Sequence, residues 1–152
     1  MHLHGLLVGV NIGISKRLKR VLVETGGDIP KSVATVAMID TGAQKTVVIP
    51  SVIAELRLEP VGQIDLLGVG QVNASLCDLY DVDVTCQGVD KRRIAIQNCR
   101  AICQTLPDMQ IECLIGCDIL RRAVLTYIGP EERFILSFNE SPFIDPEAPS
   151  LK

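Results

Sequence analysis

The stretch VAMIDTGAQKTVVIP, Val36 to Pro50, sets one carboxylate, Asp40, between two apolar runs that would otherwise read as buried strands. A carboxylate buried without a partner is costly enough that it protonates or pairs. The placement of Asp40 therefore raises the question of what answers it. The run ending at Asp40, SVATVAMI, is β-rich, and KTVVI beyond it is short and β-branched, so both read as strands. PSVIAELRL then has Pro50 at its entry and Val52, Ile53 and Leu56 at helical spacing, which predicts a short helix.

Upstream, Val8, Val10, Ile12 and Ile14 alternate with Gly9, Asn11 and Gly13, the period-two signature of a half-buried strand. RLKRVLVE reads as a second strand candidate, and TGGDIPK as a turn. Downstream, IDLLGVGQVNASLCDLYDVDVTC reads as a long hairpin: Gly68 and Gly70 give its turn a permissive backbone, and Leu76, Leu79, Val82 and Val84 mark apolar positions beyond it. RRIAIQ is a further strand, whereas RAICQTLPDMQIE is ambiguous. CLIGCDILRRAVLTYIGPEERFILSF predicts an apolar run into Gly116 and a short helix from about Asp118, with Ile119, Leu120, Ala123 and Val124 on one side. A Gly-Pro turn and a closing strand follow. The expected organisation is one domain over 1–138 and a Pro-rich, irregular tail over 139–152.

The chain has 152 residues, 47% of them apolar and 22% charged, which suits one folded domain with its own core. A net charge of −3, three Phe, two Tyr and no Trp argue against nucleic acid, which needs a basic face and stacking platforms. GLLVGV is too short for a membrane span, and the start lacks the layout of a signal peptide; the expectation is a cytoplasmic protein with no membrane partner. Six cysteines, Cys77, Cys86, Cys99, Cys103, Cys113 and Cys117, are expected as free thiols, since a domain of this size needs no staples. CRAIC and CLIGC lack the polar CxxC knuckles of a zinc site, so no metal is expected. Both histidines, His2 and His4, lie at the extreme N-terminus and are assigned no role, which leaves a Ser or Cys protease triad without support.

Asp-Thr-Gly on its own is also what a strand-end turn would use, so its context decides. The acid follows an apolar strand and precedes Ala43 and a second strand, a glycine-bearing hairpin lies about thirty residues on, and Leu114-Ile115-Gly116 opens a helix near the C-terminus. In MIDTGA and LIGCDIL, in that order, the chain resembles the retropepsin-like aspartic proteases, single-domain relatives of pepsin, over roughly Val33 to Phe138. The resemblance implies an all-β fold with one or two short helices, a half-barrel closed by homodimerisation, and an aspartic endopeptidase without cofactors.

By the same resemblance Asp40 is catalytic, and its partner is Asp40 of a second copy, because one chain holds a single Asp-Thr-Gly. Two carboxylates facing one water share a proton; one acts as general base on the water and the other as acid. Thr41, Gly42 and Ala43 support the loop, Gly68, Val69, Gly70 and Gln71 form a flap over an extended peptide, and Leu114, Ile115 and Gly116 lie under the site. Where many members carry an Arg–acid pair, this chain has Cys117 and Gln44. That joint departure leaves an alternative, a weakly active or inactive dimerisation or peptide-binding module.

Overall fold

Apolar alternation in β1 (Leu6–Ile14) brings Val10 and Ile12 inward, the continuous apolar run of β2 (Val33–Ile39) buries Ala37 and Ile39, and the two strands pair antiparallel from Leu6 opposite Ile39 to Ile12 opposite Val33. The computed structural model describes residues 5–67, 72–89, 91, 93–107 and 110–138. Seven further strands follow: β3 (Val47–Val48), β4 (Gly62–Leu66), β5 (Ser75–Gln87), β6 (Arg93–Cys103), β7 (Cys113–Ile115), β8 (Ala123–Ile128) and β9 (Arg133–Phe138). In the main sheet the order is β1-β2-β7-β3-β6-β5-β4, and Asn11–Ile14 of β1 pair back onto Val82–Thr85 of β5. That pairing closes six strands into a barrel and leaves β4 attached to the first half of β5 alone. The protein is thus mainly β.

The barrel interior is filled by Ile12, Val48, Val52, Leu56, Val82, Val84, Ala101 and Cys113, all at most 2% exposed. Each Ile, Leu or Val among them contributes about 1.5–3 kcal/mol by leaving water. A bulge keeps the lining continuous: opposite Asp83, β6 carries one extra residue, Asn98 takes φ 55°, and its N–H donates to Asp83 Oδ1 at 2.8 Å. Ile96, Cys99 and Ala101 therefore all point inward despite the odd spacing between the first two. Burial raises the Asp83 pKa, against backbone hydrogen bonds from Asn98 and Lys16 that lower it.

Three expectations need correction. RLKRVLVE lies in a helix, α1 (Lys16–Thr25), rather than a strand. Ser15 caps it by accepting from Leu18 N at 3.2 Å, Gly26 ends it at φ 71°, and Leu18 and Leu22, four apart, pack on the barrel while the charges face water. The predicted helix after Gly116 is one turn, α3 (Cys117–Leu120); Ala123 and Val124 belong to β8, whose alternating AVLTYI pairs with β9 across Gly129–Glu131. With α2 (Pro50–Glu55) found where expected, there are three α-helices among the described residues rather than one or two. The ambiguous RAICQTLPDMQIE resolves into the end of β6 and a connection into β7. The tail over 139–152 lies outside the described residues.

Candidate active site

Asp40 stands at the C-terminal end of β2, half-buried, with its N–H donating to Ile115 O at 3.0 Å. The next residues turn back at once: Gly42 N donates to Asp40 Oδ1 at 2.8 Å, and Ala43 N reaches Asp40 O at 3.3 Å. A Cβ on Gly42 would sit 3.2 Å from Asp40 Oδ1, which explains a glycine there: a side chain would crowd the carboxylate that its own N–H orients. One oxygen of Asp40 is thereby fixed, and among the described residues the other has no hydrogen-bond partner.

The loop is clamped from below by the segment after β7. Cys117 N donates to Ala43 O at 2.8 Å and Asp118 N to Gln44 O at 3.1 Å. Asp118 Oδ1 accepts from Thr46 N at 3.0 Å, Thr46 Oγ1 at 2.8 Å and Ile119 N at 3.0 Å, and Gly116 N donates to Thr46 Oγ1 at 3.2 Å. Thr46 is fully buried, so its hydroxyl depends on these partners. Gly116 is required by contact: a Cβ there would lie 2.5 Å from Lys45 C, 2.6 Å from Lys45 O and 2.9 Å from Thr46 N. Backbone cannot yield as a flexible side chain can, so the two loops pack at a distance that only glycine permits.

The structure thus brings together Asp40, Thr41, Gly42 and Ala43 with Ile115 and Gly116, and Leu114 pairs with Met38 and Val47 beside them. The predicted flap residues Gly68, Val69, Gly70 and Gln71 lie outside the described residues; the arms that lead to them are β4 and β5. Cys117 and Gln44 do not leave the loop unsupported, because the Cys117 thiol donates to Thr41 O at 3.3 Å. Thr46 and Asp118 are the site residues that sequence reasoning missed. Asp118 stands inside the LIGCDIL motif, and Thr46 is the one polar residue in the apolar run after Lys45, a signal for a buried hydroxyl with a built partner.

Beside the loop, Val47, Cys77, Leu79 and Ile102 form a second apolar cluster, with Ile64, Leu66, Leu106 and Leu114 half-buried around it. It lines the β4–β5 hairpin on the side away from the barrel interior. The six cysteines are free thiols. Burial, with the Asp118 charge adding, pushes Cys113 up to about 12 and Cys99 higher still, so neither is a nucleophile at neutral pH. Among the described residues no three His, Cys, Asp or Glu side chains converge to hold a metal ion. No helix among them is long and apolar enough to cross a membrane. Against known proteins, the chain matches no family model and no curated protein.

Proposed function

We propose that the protein is an aspartic endopeptidase of the retropepsin-like type, active as a homodimer in the cytoplasm, in which the two Asp40 carboxylates activate a water to hydrolyse an extended peptide. The observation that carries this reading is the clamping of a lone carboxylate. Asp40 is held by its own loop, which the Gly116–Asp118 segment clamps in turn, while among the described residues one of its oxygens has no hydrogen-bond partner. Rigid placement of this kind is what general base catalysis needs. The neighbouring acid, Asp118, is committed to Thr46 and Ile119, which supports taking the second catalytic carboxylate from another copy.

The exposed side chain of Thr41, without a hydrogen bond among the described residues, suits a contact across the two-fold axis. The apolar cluster under the β4–β5 hairpin suits apolar side chains of the bound peptide. The alternative of an inactive module drew on Cys117 and Gln44, and the Cys117 thiol on Thr41 O weakens that motive.

Asp40→Asn is expected to abolish cleavage of a fluorogenic peptide library, read best at mildly acidic pH, while leaving the circular dichroism spectrum and sedimentation coefficient unchanged. Full activity in the variant, or a wild type that stays monomeric at micromolar concentration with substrate present, would sink the mechanism.

A further inference from the structure

A groove of about 550 Å³ lies between α1, the connection from α2 to β4, and the middle of the β5–β6 pair, and Asp40 is not among its lining residues. Its polar equipment is unusual for this chain. Arg17, Arg57 and Arg100 line it, in a protein whose net charge is −3. Asp81 is already consumed, gripping Arg100 through two contacts at 2.9 and 3.2 Å. Among the described residues Arg17 and Arg57 have no ion-pair partner, and Glu59 is the one remaining acid in the lining. The field does not stop at the groove: Lys16, Arg17, Lys19 and Arg20 place four cations in five residues of α1.

Arg57 carries a second signal. It follows α2 at φ 52°, with Arg57 N on Ala54 O and Leu58 N on Ile53 O, the hydrogen-bond pair of a Schellman ending. That position favours glycine, so an arginine there holds a less favoured backbone while presenting a guanidinium to the groove. Between the charges the lining is apolar, from Leu18 and Val21 on α1 to Leu58 and Val61 opposite. Two guanidiniums without ion-pair partners among the described residues, set with apolar side chains around a concave surface, match a peptide segment that carries both carboxylates and apolar side chains.

We propose that this groove binds an acidic, partly apolar peptide segment of a partner protein, at a place separate from Asp40. Assigning that segment to a protease substrate rests on the function proposed above; the binding itself does not need Asp40. The test uses the full chain carrying Asp40→Asn, so that nothing is cleaved, and a fluorescein-labelled peptide alternating glutamate with leucine, followed by anisotropy. The glutamate peptide is expected to bind, to weaken as salt rises, and to bind at least about tenfold more tightly than its glutamine counterpart, because guanidinium–carboxylate bonds are charge-assisted. Arg17→Ala with Arg57→Gly is expected to remove that preference. Neither change threatens the fold, since one is on an exposed helix face and the other installs the residue the backbone favours. Equal binding of the glutamine peptide, or undiminished binding by the double variant, overturns the proposal. So does displacement of the peptide by phosphatidylserine vesicles that recruit the protein through the same two arginines, which would make the surface a lipid site. A wild type that cleaves no peptide, yet whose groove binds as described, refutes the protease and leaves this inference standing.

Discussion

Replacing Gly116 by alanine tests whether contact between two loops, rather than any side chain of the site, sets the position of Asp40. The new Cβ would stand 2.5 Å from Lys45 C, roughly 1 Å inside the ordinary carbon–carbon separation of about 3.5–4.0 Å. No rotamer relieves this, because all three close atoms are backbone. The Gln44–Thr46 segment must retreat by most of an ångström, straining the bonds from Cys117 N to Ala43 O and from Asp118 N to Gln44 O that hold it. Overpacking of this kind costs about 1–3 kcal/mol. A misplacement of about 1 Å at a catalytic group is worth on the order of 10²-fold in rate. Urea unfolding and kcat/KM on a fluorogenic peptide measure the two effects. The informative result is a protein still folded by near-ultraviolet circular dichroism with activity down by about two orders of magnitude. A Gly116→Ala protein with wild-type midpoint and wild-type kcat/KM would refute the argument that these loops are in hard contact.

Two further predictions follow from the same region. Asp118→Ala strands the buried Thr46 hydroxyl and two backbone donors and is expected to cost about 3–5 kcal/mol, whereas Asp118→Asn keeps an acceptor and is expected to cost about 1 kcal/mol; equal losses in urea midpoints would contradict the assignment. The raised thiols predict alkaline weakening. Cys99 and Cys113 stay neutral in the fold while unfolded thiols ionise from about pH 8.5, so the native state binds more protons and stability falls as pH rises, by about 1.4 kcal/mol per pH unit for each thiol. Urea midpoints at pH 8, 9 and 10 should decline, and Cys113→Ala should flatten the slope by one thiol's share; a slope unchanged in that variant counts against the account.

Part of the barrel was legible in the sequence: β1 carries a period of two, β2 reads as a continuous β-rich run, and in the hairpin Leu79, Val82 and Val84 mark buried positions whereas Leu76, equally apolar, is exposed. The misreadings have local causes. In α1 the basic residues masked a helical pair, Leu18 and Leu22, and the decisive marks were the caps, Ser15 and Gly26, rather than hydrophobicity. In β8 the apolar spacing across Ala123 and Val124 suited either period, and pairing with β9, invisible to local pattern, decided it. Asp40 drew notice because a charge interrupts an apolar run. Thr46 did not, since a hydroxyl beside valines is ordinary until its partner, 72 residues away, is known. The closure of β1 onto β5 was likewise beyond reach, because nothing local to either strand specifies the other.

The way β5 divides its partners has a mechanical consequence. From Ser75 to Leu79 it holds β4, and from Val82 to Thr85 it holds β1. One continuous strand is therefore both an arm of the hairpin and a stave of the closed barrel, and the changeover falls at Tyr80 and Asp81. That changeover is itself held, since Tyr80 and Asp81 pair with Ala101 and Arg100 of β6 and the stave beyond is tied on both edges. The ion pair to Arg100 sits at that changeover and on the wall of the groove, so the root of the hairpin arm and the groove share the same two side chains.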